Sequence, residues 1–167
     1  RLRALSPETA ALYSYSEIDP DEFLARHYAS NRPALLQGKI DDWPALAKWT
    51  PAYLRDAIGD AEVEFQGERG GNARFELDKD AHKRVLPFGA YMDVIERGNA
   101  GNDAYITAYN SGRNAAAFAP IMKDIGTIDG ILTPGDASTK GMLWIGPDGT
   151  FTPLHHDLTN NLLVQVV

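Results

Sequence analysis

Apolar residues along the chain fall first into helical spacing and later into strand-like alternation. Ser6-Pro7-Glu8 and Asp19-Pro20-Asp21-Glu22 each set a capping side chain before a proline and early acids, which predicts two helix starts. The second leads into residues 23–28, read as an amphipathic helix, and residues 31–38 follow as a short strand. Thr50-Pro51 opens another helix that Gly59 closes. Residues 61–65 and 73–77 alternate polar and apolar side chains around a glycine-rich turn, the pattern of a half-buried hairpin. Phe88, Tyr91, Met92 and Ile95 recur at helical spacing across 88–97. A strand over 103–109, a helix over 114–123 and strands over 141–145 and 154–167 complete the expectation. Neither a repeat nor a low-complexity linker interrupts the pattern. One continuous domain over 1–167 is expected, helical with a hairpin over 1–100 and strand-bearing over 101–167.

Composition narrows the partners. The chain has 167 residues, 44% of them hydrophobic, enough for one sizeable core. Its formal net charge of -7 argues against a nucleic-acid backbone or an anionic membrane surface as partner. The absence of cysteine excludes disulfides, thiolate metal sites and a cysteine nucleophile, and suggests a reducing, cytoplasmic location. There is no run of 18 apolar residues and no signal peptide, although a chain opening on Arg1 is expected to have lost its true beginning.

The chemistry concentrates at the head of the last apolar run, in Thr152-Pro153-Leu154-His155-His156-Asp157. On a strand, His155 and Asp157 point to one side and His156 to the other. One imidazole and one carboxylate are thereby aimed at one point. With a histidine from elsewhere they would form the facial triad that binds ferrous iron. Asn161 shares their parity, whereas Thr152 needs the Thr-Pro bend to reach the same cavity. Other signals have plainer readings. His27 and His82 are expected as solvated side chains, Trp43, Trp49 and Tyr53 as core packing, Gly146 to Gly149 as a β-turn, and the acids at 76, 78 and 80 as a solvated edge.

Order and spacing of short motifs add a family resemblance. Asn31-Arg-Pro-Ala-Leu-Leu-Gln-Gly, Asp42-Trp43-Pro44-Ala, Lys48-Trp49-Thr50, Tyr53-Leu54 and Gly59-Asp60 are followed by Trp144-Ile145-Gly146, Gly149-Thr-Phe-Thr-Pro-Leu-His155-His156-Asp157 and Asn161-Leu-Leu-Val-Gln165-Val. In this the chain resembles the JmjC-type, cupin-like Fe(II)- and 2-oxoglutarate-dependent oxygenases, among them the asparaginyl hydroxylase of hypoxia-inducible factor. The resemblance implies an α+β fold: an N-terminal helical region plus the first strands of a double-stranded β-helix, or jelly roll, incomplete in this chain. It implies His155 and Asp157 as catalytic iron ligands, and Tyr105, Thr152 and Asn161 as residues lining the 2-oxoglutarate pocket. The family's second histidine and its basic 2-oxoglutarate partner would fall beyond Val167, so a C-terminal truncation is expected. Hydroxylation of a protein or peptide side chain is the implied activity, with a small-molecule substrate and a homodimer as further expectations. The alternative is a non-catalytic cupin-like binding or dimerisation module, or an inactive fragment lacking the second histidine.

Overall fold

The computed structural model describes residues 12–98, 101–153, 155 and 157–166. The helix start at Ser6, His156 and Val167 lie outside the described residues. Strand β1 (Tyr13–Tyr15) pairs in parallel with β2 (Ala34–Leu36). Between them Asp19 caps α1 (Pro20–Phe23), its Oδ1 accepting from the backbone N–H groups of Asp21 and Glu22 at 2.9 and 3.1 Å. The chain continues into a wider π-type turn, Leu24–Tyr28, which buries His27.

Two proline-started helices follow, α2 (Pro44–Lys48) and α3 (Pro51–Ile58), the latter capped by the Thr50 hydroxyl. Strands β3 (Glu62–Gly67), β4 (Lys83–Pro87) and β5 (Ala104–Tyr105) form an antiparallel sheet in the order β4-β3-β5. Helices α4 (Phe88–Glu96) and α5 (Ser111–Met122) pack on it, and α6 (Asp136–Lys140) comes later. The core joins Val63 and Phe65 of β3 to Phe88 and Tyr91 of α4, Phe118 and Ile121 of α5, and Trp49, Leu54 and Ile58. Trp43 and Trp49 are buried, as expected from their spacing.

The partner of β3 is β4, not residues 73–77. That stretch forms consecutive turns because the Asn72 side chain accepts from the Arg74 N–H at 2.8 Å, and Leu77 is left exposed. The strand expected over 103–109 ends early. Thr107 caps a short 3₁₀ turn, Ala108–Asn110, in a box with Asn110. Asn114 then fills the place of a strand neighbour: its amide accepts from the Glu64 N–H at 2.7 Å and donates to the Glu64 carbonyl at 2.8 Å.

Both histidines expected in solvent are buried. His27 contacts the Arg32 carbonyl and the Tyr15 hydroxyl, and His82 contacts the Gly67 carbonyl and the Asn72 amide. With both ring nitrogens engaged, each is a structural residue. Asp124 is a third buried polar site. At 1% exposure it accepts from Lys48 Nζ at 2.8 Å, Tyr53 Oη at 2.5 Å and Trp49 Nε1 at 3.4 Å. Burial alone would raise its pKa, but these hydrogen bonds hold the carboxyl below its usual range.

Candidate metal centre

The segment bearing the candidate ligands is tied to the sheet chiefly at Ile145, with Phe151 edge-on to Phe75 and Val166 against the core as further contacts. Ile145 and Ile106 exchange backbone hydrogen bonds of 2.9 and 3.1 Å, an isolated bridge that extends the edge of β5. The buried Tyr91 hydroxyl donates to the Ile145 carbonyl at 2.6 Å, and burial pushes its pKa up, so it stays a donor. Beside the bridge the Trp144 ring meets Tyr105 edge-on at 5.7 Å. Glycine is required at 146, where a Cβ would come within 2.8 Å of the Tyr105 ring and 2.7 Å of the Thr150 hydroxyl. The turn expected over 146–149 falls one residue later, over 147–150, with Thr150 N–H donating to the Pro147 carbonyl at 3.2 Å and Gly149 at φ +81.

Beyond the turn no ladder forms among the described residues. The strands expected over 141–145 and 154–167 are reduced to the Ile145 bridge, since no neighbouring strand is paired with the rest. Leu143, Ile145 and Val166 still pack against the core, but other apolar side chains of these stretches face solvent, Leu158 at 98% and Leu163 at 86% exposure.

Three expected residues nonetheless come together. His155 Nδ1 lies 2.8 Å from the Pro153 carbonyl; a carbonyl only accepts, so Nδ1 carries a proton, and in the neutral ring Nε2 is left as the metal-binding nitrogen. Nε2 stands 3.7 Å from Asp157 Oδ2, and the Asn161 amide donates to that same oxygen. In that neutral form, a lone pair facing a carboxylate oxygen is the arrangement a shared cation resolves. Two donors each about 2.1 Å from one metal at a right angle stand about 3 Å apart, so a small closure would bring both onto one ion. Fixing the remote ring nitrogen on a carbonyl is also how metal-bound histidines are held.

The donor set fits a metal in kind and supplies two ligands. No group of three His, Cys, Asp or Glu is positioned to hold a metal among the described residues. Thr152 is exposed and makes no hydrogen bond to this cluster. Tyr105 is half-buried between Trp144 and Arg69, whose guanidinium lies 5.2 Å from its ring centre. Arg69 was hidden in the sequence because Gly67-Glu-Arg-Gly-Gly71 reads as a turn, where arginine is ordinarily solvated.

Residues 20–167 match the model of the cupin-like domain family. The Jumonji C domain-containing protein 5 of Drosophila melanogaster is 31% identical over 153 residues, which cover 87% of this chain and 36% of that protein. Lysine-specific demethylase 8 of Xenopus tropicalis is 26% identical, over 88% of this chain and 32% of its own length. The human bifunctional peptidase and (3S)-lysyl hydroxylase JMJD7 is also 26% identical, over 98% of this chain and 54% of its own. The chain thus spans about a third to a half of the relatives it matches.

Proposed function

The chain belongs to the cupin-like domain family, and from that premise we propose that it forms the iron- and 2-oxoglutarate-binding part of an oxygenase that hydroxylates a protein or peptide side chain. The observation that carries this reading is the His155 and Asp157 pair, with Nε2 3.7 Å from the carboxylate and Nδ1 held by the Pro153 carbonyl. Bound iron and 2-oxoglutarate would supply oxygen activation for attack on a C–H bond. His155 contributes a neutral donor and Asp157 an anionic one that lowers the charge of the site. Asn161 steadies the carboxylate, and its amide, with the hydroxyls of Thr152 and Tyr105, offers neutral hydrogen-bonding groups to a keto acid. A protein substrate is favoured by the relatives' names, which include both lysyl hydroxylase and lysine-specific demethylase.

The exposed Leu158 and Leu163 favour a second reading, a non-catalytic binding module. Iron-dependent succinate formation separates the two. In the whole protein, Asp157→Ala is expected to lower it more than about a hundredfold and to weaken Fe(II) binding in parallel, since it removes a first-sphere donor. Wild-type turnover in that variant would sink the ligand assignment. Product mass then distinguishes a gained oxygen from a lost methyl group.

A further inference from the structure

We propose that the sheet face turned away from the core carries a carboxylate-binding subsite, built from Arg69 and Gln66 beside Tyr105. Val63 and Phe65 of β3 point into the core, so Gln66 projects to the opposite side. Gln66 is the cross-strand partner of Tyr105, which places both side chains on that face. Arg69 reaches the same place from the loop after β3, its guanidinium 5.2 Å from the Tyr105 ring centre and 4.2 Å from that of Phe75. Both polar side chains are buried, at 2% exposure for Arg69 and 4% for Gln66. Yet Arg69 Nη1 and Gln66 Nε2 have no hydrogen-bond partner among the described residues.

Two buried N–H donors without acceptors are costly. They mark a place where an acceptor is wanted. Folding has already stripped water from them, so an arriving oxygen gains a charge-assisted bond without that cost. The donor count selects the ligand. Nη2 of Arg69 is engaged by Glu76 Oε1 at 3.2 Å, leaving Nη1 and the Gln66 amide for two oxygens. That suits a carboxylate, and the adjacent Glu76 opposes a more highly charged phosphate. The carboxylate could be that of 2-oxoglutarate or of an acidic side chain on a peptide substrate. Naming those sources rests on the oxygenase reading; carboxylate binding itself does not.

Trp144, packed on Tyr105, is a built-in reporter, and the other two tryptophans are buried in the core. The whole protein, metal-free, would be titrated with 2-oxoglutarate, with a short aspartate-containing peptide and with its asparagine counterpart. A saturable change in tryptophan emission is expected with at least one carboxylate and none with the asparagine peptide; which carboxylate responds identifies the source. Arg69→Met should weaken that binding about tenfold, the worth of one charge-assisted hydrogen bond. Gln66→Glu should abolish it while keeping or raising the melting temperature, because the new carboxylate pairs with Arg69. No saturable response from either carboxylate, or equal affinity in Gln66→Glu and wild type, overturns the subsite. Binding retained in Asp157→Ala together with absent wild-type turnover would remove the oxygenase reading and leave the subsite standing.

Discussion

Two aspartates divide the molecule. Asp124 is buried and surrounded by donors from Lys48, Trp49 and Tyr53, so folding uses its acceptor capacity. Asp157 is half exposed, held by the Asn161 amide and faced by His155 Nε2. The first ties α2 and α3 to the end of α5 and has nothing left to offer a ligand. The second is positioned yet unsaturated, the condition a metal ligand needs. Residue type does not separate them; the number and charge of the donors around each do.

Asp124→Ala tests the saturated side. It strands two ring-system donors and one lysine, and should cost about 3 kcal/mol in chemical denaturation at neutral pH, somewhat less than a fully buried pair because Lys48 is half exposed. The pH dependence has a definite sign. Asp124 has a folded pKa below its free value, so its stabilisation is present above the unfolded pKa of about 3.9 and is lost as pH falls through the folded pKa. The gap between wild type and variant should therefore narrow below about pH 4. A gap constant from pH 7 to pH 3 would show that packing, not the ionised carboxylate, stabilises this corner.

Gly126→Ala probes the same corner without touching charge. A Cβ there would meet the Trp43 indole at 2.5 Å, while that indole is held by its Nε1 hydrogen bond to the Thr127 carbonyl at 3.1 Å. Overpacking of this kind should cost about 2 kcal/mol, read as a lowered denaturation midpoint with unchanged slope. A neutral result would mean that the Trp43 clasp yields easily and that Asp124 alone holds the corner.

The two regions were also unequally legible in the sequence. Capped, proline-started helices such as Thr50-Pro51 were readable because their signals are local. The hairpin partner was misassigned because 73–77 alternates as well as 83–87 does, and only the Asn72 side chain, by turning the chain, decides between them. His27 and His82 looked solvated because the carbonyls that satisfy them come from other turns and strands. His155, Asp157 and Asn161 were legible as a group because their spacing is short. The ladder expected around them was not borne out, since pairing depends on a neighbouring strand that alternation alone does not supply.

Tyr91 is one place where the core meets the arm, and Tyr91→Phe is the mildest test of whether they are coupled. The ring sits in the core against Phe65 and Phe88, while the hydroxyl reaches out to the Ile145 carbonyl. Phenylalanine keeps the packing and removes only that donor. Ile145 still accepts from the Ile106 N–H, so the carbonyl is not orphaned and the cost should be about 1 kcal/mol. Burial favours the neutral phenol, so this contribution should not change between about pH 3 and pH 9, whereas that of Asp124 falls away below about pH 4. The loss should be felt in the exposed arm: faster hydrogen exchange at the Ile145 amide and altered Trp144 emission, with the core amides of β3 unchanged. The opposite pattern, with β3 loosened and Ile145 unaffected, would mean that the hydroxyl serves the core and that the candidate ligands are positioned without it.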